Sequence, residues 1–246
     1  MKVETIQLTT HNGVGWLKLN RPEKLNALNE TLLREMKTAI DTFEQDDAVR
    51  VIVLVGEGRA FSSGQDLTIE SDADYGEYLE DVYHPLVRAL FSSRKPLIAG
   101  IHGVVAGAGL SLALAADVRI VAKSTKFSSA FIQIGLVADA GGPYHLRRLM
   151  RDDLALDWLW SGSTIDSEAA RTFGLVTELV EDAMYTERLT SYAETLAAKS
   201  PVAVQGMKAL MRAASFEDGL NEEIEWQRKC GDTDVHRQAM QAFLMK

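Results

Sequence analysis

The sequence predicts an α/β protein in which buried parallel strands alternate with helices. Apolar runs at 51–55, 97–101 and 118–122, the last interrupted only by Arg119, are each bounded by charged, glycine or turn residues, as in strands buried on both faces. The segments between these runs have helical periodicity or small apolar composition, which requires crossover connections. The 246 residues contain no linker rich in Pro, Gly or Ser that would divide the chain. We therefore expect one main α/β core.

The N-terminal elements are predicted as a hairpin followed by an amphipathic helix. Residues 3–8 and 14–19 are β-prone and flank a turn-forming segment at 11–13. From position 28 the apolar spacing becomes helical, and one face collects Leu28, Leu32, Met36, Ala39, Ile40 and Phe43. The candidate N-caps of this helix are Asn26 and Asn29.

The second half is predicted to become mainly helical. Residues 106–116 are small and apolar, which favours a helix packed closely against the sheet. One later strand is expected at 175–180. Helices are expected at 153–160, 167–173, 183–199, 201–214 and 218–229. These helices could form a second layer or an oligomerisation element, and the pattern favours neither.

Composition limits the classes of function. Lys and Arg number 26 against 35 Asp and Glu, a net charge of −9, which argues against nonspecific nucleic-acid binding. Cys230 is the single cysteine, so no intramolecular disulfide can form and a reducing compartment is expected. No signal-like segment opens the chain, and no apolar run approaches the roughly 20 residues that span a bilayer. We expect a cytoplasmic protein without a membrane partner.

Three glycine-bearing loops are the candidate site. They cover 56–66, 103–109 and 135–142, and ligands of open α/β folds gather where such loops follow strands. Glycines let backbone N–H groups approach an oxygen, and two donors from separate loops would form an oxyanion hole. Each loop alone is equally typical of a tight turn. The spacing of the glycines does not match G-x-G-x-x-G, so no dinucleotide site is predicted. The sequence contains no G-x-S-x-G, so no serine hydrolase is predicted.

Asp139 is the one acid within the third loop. Its position before Pro143 suits a helix cap, the slightly favoured interpretation on local evidence. In an apolar pocket it could instead act as a general base. The five histidines do not cluster, and no metal site is expected. The acidic run at 70–81 is typical of a solvated face, with a mobile lid as the alternative.

Four segments stand in a fixed order: RPEKLNAL at 21–28, AFSSGQDL at 60–67, AGAG at 106–109 with Ala116-Asp117 after it, and GLVADAGG at 135–142. In order and spacing they resemble the crotonase (enoyl-CoA hydratase/isomerase) superfamily over nearly the whole chain. The resemblance implies a crotonase-like spiral of ββα units over 1–190 and a helical region over 191–246 that builds trimers or dimers of trimers. It also implies an acyl-CoA thioester ligand and no cofactor beyond the substrate's own CoA.

The resemblance assigns site residues by motif position. The oxyanion-hole N–H groups fall on Gln65 and Ala108. The residues implied to line the substrate and CoA site are Lys24, Leu25, Ala27, Ser63, Gly64, Asp66, Gly107 and Phe131. C-terminal residues of this family reach a neighbouring subunit's CoA, and the candidates here are Phe243 and Lys246.

The acids depart from the hydratase pattern. The two glutamates that hydratases of this family share are replaced by Ser111 and Phe131, which leaves Asp139. The motifs look most like the ring-1,2-epoxyphenylacetyl-CoA isomerase branch. We therefore predict an isomerase in which Asp139 takes a proton from Cγ of an enoyl thioester and returns it at Cα.

Three other functions stay open. A hydratase would need a second acid such as Glu70 or Asp66. A dehalogenase would use Asp139 as a nucleophile. A non-catalytic oligomeric scaffold or RNA binder would leave the glycine loops without a purpose.

Overall fold

A computed structural model describes residues 3–68 and 74–245 of the chain. The strands are β1 Ile6–His11, β2 Val14–Leu19, β3 Val51–Gly56, β4 Leu97–Ile101, β5 Val104–Ala106, β6 Val118–Ala122, β7 Lys126–Ser128, β8 Thr164–Asp166 and β9 Glu178–Val180. The helices are α1 Glu30–Gln45, α2 Tyr75–Tyr78, α3 His84–Ser92, α4 Gly107–Leu114, α5 Gly142–Leu149, α6 Asp152–Ser161, α7 Ser167–Thr172, α8 Tyr185–Ala197, α9 Pro201–Leu210, α10 Phe216–Gly231 and α11 Asp234–Leu244. A π-helical turn, Leu79–Tyr83, joins α2 to α3.

The main sheet has the strand order β1-β2-β3-β4-β6-β9. Every neighbouring pair is parallel except the antiparallel β1–β2 hairpin. The three strands predicted from continuous apolar runs are confirmed. A smaller sheet, β5-β7-β8, was not predicted. Its strands are three residues long, too short to show a period.

The hairpin is confirmed, but its first strand lies three residues later than predicted. Register pairs Ile6 with Leu19 and His11 with Val14. The turn therefore contains only Asn12 and Gly13, and both have positive φ, at 49° and 78°. Two-residue turns of this kind match the twist of paired strands, so the strand extends to the turn instead of ending at position 8.

Apolar layers cover both faces of the main sheet. On one face α1, α3 and α4 pack into the larger core. Asn29 is the N-cap of α1, because its side chain accepts from the Leu32 N–H at 2.9 Å. On the other face, Leu189, Ala193 and Ala197 of α8 pack on the β2, β3 and β4 side chains. The boundary predicted at residue 190 thus falls inside a helix that belongs to the core.

The C-terminal helices attach to the core through Asp117. Its carboxylate lies 2.6 Å from Lys208 Nζ and 3.1 Å from Arg212 Nη2, and it also accepts from the Leu97 N–H at 2.8 Å. Helix α9 ends at Leu210, earlier than predicted. His236 was expected in a helical stretch, and it lies in α11, whose bounds were not predicted. Of the strand expected at 175–180, only Glu178–Val180 forms a strand, β9. Leu175 instead closes the end of α7, because its N–H donates to the Ala170 carbonyl.

The acidic run falls partly outside the described residues, which omit 69–73. From Asp74 onward it is helical. Asp74 caps α2 by accepting from the N–H groups of Gly76 and Glu77, and Glu77, Glu80 and Asp81 are exposed. Helices α2 and α3 themselves were not predicted.

Candidate active site

Two of the three glycine loops meet directly. Ser62 forms a parallel bridge with Val105, and the Ala106 N–H donates to the Ser62 carbonyl at 2.9 Å. A Cβ on Gly64 would lie 2.9 Å from the Ala106 carbonyl oxygen and 3.4 Å from Gly107 Cα. Gly64 also has a φ of +91°. Only glycine satisfies both the angle and the close approach.

The peptide unit that joins Gly64 to Gln65 has a fixed orientation. The Leu28 N–H donates to the Gly64 carbonyl at 2.7 Å, and the Asp66 N–H donates to the Leu28 carbonyl at 2.8 Å. Because a trans peptide is planar, the Gln65 N–H points away from Leu28. Within 3–68 and 74–245, this N–H has no hydrogen-bond acceptor.

Ala108 offers a second free donor. It is the second residue of α4, and N–H groups in the first turn of a helix have no intrahelical acceptor. Because the Gly64 and Gly107 backbones are in contact, the loops of Gln65 and Ala108 are adjacent. Two N–H groups from separate loops thus have no acceptor in the described part of the chain.

Asp139 is half-buried beside the start of α5. Its Oδ1 is inaccessible to solvent and has no hydrogen-bond partner in the part of the chain that the structure describes. Burial raises the pKa of this carboxyl to about 6. The N-cap of α5 is Gly141, with no side-chain cap, so the helix-cap interpretation of Asp139 is wrong. The backbone carbonyl of Asp139, not its carboxylate, accepts from the Gly142 N–H.

Tyr83 links this acid to the first loop. Its hydroxyl donates to Gln65 Oε1 at 2.5 Å, and the residue is 3% exposed. Burial, and then the nearby Asp139 carboxylate, raises the pKa of Tyr83. Tyr83 was not predicted as a site residue, since a π-helical turn breaks the 3.6-residue period that places a side chain on a face.

The two positions that lack the hydratase glutamates flank the second loop. Ser111 is buried in α4, and its Oγ lies 2.4 Å from where a Cβ on Gly142 would be. Phe131 lies in a 3₁₀ helix, with its Cζ 3.9 Å from the corresponding point on Gly107. Neither side chain carries an acid, and Phe131 adds apolar surface next to the glycine loop.

The first motif lies against the Gln65 loop. Lys24 ends a 3₁₀ helix and is exposed, whereas Ala27 is buried. The Ser63 N–H donates to the Leu25 carbonyl at 2.9 Å, and its hydroxyl donates to the Lys24 carbonyl at 3.4 Å. These bonds bring an exposed cation next to the loop that carries a free N–H.

Asp66 has other partners. Its Oδ2 lies 2.8 Å from Arg21 Nη2, and its Oδ1 accepts from the hydroxyl and N–H of Thr68. The Thr68 hydroxyl and the Arg21 guanidinium hold the pKa of Asp66 at about 2. Both carboxylate oxygens are engaged, so Asp66 supports the loop and stays ionised at neutral pH.

The C-terminal candidates lie apart from these loops in sequence. Phe243 is on α11 and is 75% exposed, and Lys246 lies outside the described residues. Among the residues described, no group of three or more His, Cys, Asp or Glu could hold a metal ion. No helix described here is long and apolar enough to cross a membrane.

Comparison with known proteins identifies the family. The family model for enoyl-CoA hydratase/isomerase matches residues 9–246. The chain is 33% identical to 1,2-epoxyphenylacetyl-CoA isomerase of Escherichia coli K12, over 99% of this chain and 97% of that protein. It is 31% identical to 2,3-dehydroadipyl-CoA hydratase of the same organism, over 94% and 91%. A crystal structure of enoyl-CoA hydratase from Bacillus anthracis superposes with a TM-score of 0.92 at 26% identity, covering 98% of this chain and 96% of that one.

The chain therefore belongs to the enoyl-CoA hydratase/isomerase family. The predicted fold class, a crotonase-type α/β fold with a helical C-terminal region, is confirmed.

Proposed function

We propose that the protein is an acyl-CoA isomerase in which Asp139 moves a proton along the acyl chain. The observation that carries this proposal is the Asp139 carboxyl itself. It is half-buried and unpaired at Oδ1, and burial brings its pKa to about 6. A carboxyl of that pKa can accept a proton from carbon and return it near neutral pH, so one residue serves as base and then as acid.

The reaction conserves all atoms of the substrate. Asp139 removes a proton from Cγ, and the electron pair shifts toward the thioester to give a dienolate. The N–H groups of Gln65 and Ala108 bind the negative oxygen, a contribution that typically changes rates by about 10²- to 10³-fold for each donor. Asp139 then returns the proton to Cα, which completes the 1,3-shift of the double bond. The same steps run in reverse.

Hydration is the second candidate, because a relative at 31% identity is named a hydratase. It requires that water be activated while a proton reaches Cα. Ser111 and Phe131 cannot do this, and Asp66 is engaged with Arg21; Glu70 lies outside the described residues. These contacts favour isomerisation. A dehalogenase would show labelled oxygen from water in the Asp139 carboxylate.

The acyl group is proposed to be cyclic or aryl, including a ring-epoxide of the phenylacetyl type. The support is the printed activity of the E. coli relative, 1,2-epoxyphenylacetyl-CoA isomerase, together with Phe131 next to the glycine loop. Calorimetric titration with aliphatic and aryl CoA thioesters tests this choice. Tighter binding of the aliphatic series would contradict it.

CoA is proposed to bind along Lys24, Leu25, Ala27 and Ser63, next to Gly64 and Gly107. Lys24 is exposed beside the Gln65 loop, so it can meet an anionic phosphate although the net charge is −9. Lys24→Glu should weaken CoA-ester binding, whereas Lys37→Glu, at a half-exposed charge on α1, should not.

Assembly is proposed as a homotrimer or a dimer of trimers, in which Phe243 and Lys246 approach a neighbour's CoA. The support is exposed apolar surface on the last helices, which comprises Met207, Met211, Phe216, Ile224, Val235, Met240, Phe243 and Leu244. Light scattering after size exclusion measures the mass, and a monomer would contradict the proposal.

The central test is Asp139→Asn. The variant should bind acyl-CoA as the wild type does and lose about 10²-fold or more of the isomerase rate. Asp157→Asn, an exposed acid on α6, is the matched control and should keep full activity. Retained isomerisation in Asp139→Asn would contradict the assignment.

A further inference from the structure

The Gln65 side chain is held by an element that the isomerase mechanism does not use. The Tyr83 hydroxyl donates to Gln65 Oε1 at 2.5 Å. Tyr83 ends the π-helical turn between α2 and α3 and is almost fully buried. Single π-turns inside helices occur frequently at functional sites. Here the turn brings a phenol onto the loop that carries a free N–H.

A second tyrosine supports the first. The rings of Tyr78 and Tyr83 pack edge to face with centroids 5.9 Å apart. Burial raises the pKa of Tyr78, and the Gln65 side-chain amide opposes that rise, so this amide also lies near the Tyr78 hydroxyl. The Gln65 side chain therefore lies between two tyrosines of one helical segment.

We propose that Tyr83 is a positioning residue that holds Gln65 so that its backbone N–H points at the thioester oxygen. This inference rests on the proposed acyl-CoA function. It adds Tyr83, from the π-helical turn between α2 and α3, to a site whose other proposed oxyanion-hole residues all lie on the glycine loops.

The physical argument concerns the freedom of the peptide unit before Gln65. Gly64 has a φ of +91°. Because glycine has no Cβ, its backbone can rotate more freely than that of other residues, so the peptide unit that follows it needs other contacts to hold its orientation. Leu28 fixes the carbonyl side of that unit through the bond to the Gly64 oxygen. The bond from Tyr83 fixes the Gln65 side chain. Together they hold the N–H before substrate arrives, and donors held in advance stabilise a developing oxyanion without reorganisation.

The first experiment separates positioning from packing. Tyr83→Phe keeps the ring and its contact with Tyr78 and removes only the hydroxyl. The control is Tyr185→Phe, because the Tyr185 hydroxyl is also buried and has no partner among the described residues, and Tyr185 begins α8 on the other face of the main sheet. Displacing a catalytic group by about 1 Å can cost on the order of 10²-fold. We expect kcat to fall about 10- to 100-fold in Tyr83→Phe, with KM nearly unchanged, and no change in Tyr185→Phe.

A double-mutant cycle with Gln65→Ala tests the link itself. Gln65→Ala keeps the backbone N–H but removes the side chain that Tyr83 holds. If the two residues act through one bond, the double variant should be no slower than either single variant. If the kcat loss in the double variant equalled the product of the losses in the two single variants, the inference would be overturned. Should Tyr83→Phe not fold, Gln65→Ala alone must show the same loss of kcat, and full activity there would also overturn it.

The closing measurement is optical and needs no turnover. The probe is 4-(dimethylamino)cinnamoyl-CoA, whose absorption moves to longer wavelength when its thioester oxygen is polarised. Wild type and Tyr185→Phe should give the full red shift, and Tyr83→Phe should bind the probe with less than about half of it. An equal red shift in Tyr83→Phe would overturn the inference alone. No binding or no shift in the wild type would overturn the proposed acyl-CoA function.

Discussion

Arg21 and Asp66 form a buried ion pair that joins the first two sequence motifs. Arg21 Nη2 lies 2.8 Å from Asp66 Oδ2, and the two side chains are 14% and 3% exposed. Arg21 also donates to the Ala27 carbonyl at 2.6 Å. The pair therefore fixes the loop of Gln65 relative to the segment proposed to bind CoA.

Removing one partner of this pair should destabilise the protein strongly. Asp66→Ala leaves a buried guanidinium without its carboxylate, which typically costs about 3–5 kcal/mol. Urea unfolding measures this. Asp41→Ala breaks the half-exposed i,i+4 pair with Lys37 on α1 and should cost no more than about 0.5 kcal/mol. Equal losses in both variants would contradict the structural role of Asp66.

A methyl group at Gly64 should abolish the oxyanion hole. Its Cβ would lie 2.9 Å from the Ala106 carbonyl oxygen, which is backbone and cannot move away cheaply. Gly135→Ala is the matched control, because Gly135 has a φ of +73° and nothing lies within 4 Å of its Cβ position. Both variants bear the strain of a left-handed residue, but only Gly64→Ala also meets a backbone oxygen. We expect Gly64→Ala to be clearly less stable in thermal unfolding and to lose isomerase activity about 10²-fold or more. Equal unfolding temperatures would contradict the clash.

Stability should report the raised pKa of Asp139. Its folded pKa, about 6, lies above the ordinary 3.8, so the folded state binds more protons in this window. The stabilisation that the protonated Asp139 carboxyl contributes is complete below about pH 4 and is lost as the pH rises through 6. Asp139→Asn lacks this loss, so its free energy of unfolding relative to wild type should grow by about 2 kcal/mol between pH 4 and pH 7. Urea titrations across this range test it, with Asp157→Asn as the control. A difference that does not change with pH would contradict a buried carboxyl.

Restoring the two glutamates should add hydratase activity. Ser111→Glu with Phe131→Glu places one acid beside Gly142 and one beside Gly107. Ser111 is packed on Gly142, so the single Ser111→Glu variant should be less stable than wild type. The double variant should hydrate crotonyl-CoA faster than wild type. Faster hydration by the wild type would favour the hydratase interpretation.

The sequence predicted the long elements well because their signals are local. The unbroken apolar run at 51–55 predicts a buried strand through its short length, its valines and isoleucine, and the charge and glycine beside it. Asn29 caps α1 through its own side chain. The glycine loops were grouped as one candidate site because each follows a predicted strand. The family resemblance was needed to assign the two donors to Gln65 and Ala108, since Gly64 and Gly107 are far apart in sequence and meet through strand pairing.

Other features lie beyond local pattern. The cap interpretation of Asp139 failed because Gly141, with its left-handed φ, begins α5. Tyr83 was missed because its π-turn places it on Gln65 only in the folded chain. Nothing in the sequence shows that Asp66 faces Arg21, 45 residues earlier.

Isomerisation of a 2-enoyl-CoA deuterated at Cγ tests the central claim most directly. If Asp139 carries the proton from Cγ to Cα, wild type should remove deuterium from Cγ as it isomerises, and the label should appear at Cα or, where the protonated carboxyl exchanges first, in water. Asp139→Asn should bind the same thioester and keep its label at Cγ. Loss of deuterium from Cγ in Asp139→Asn, at a rate near that of wild type, would contradict the claim.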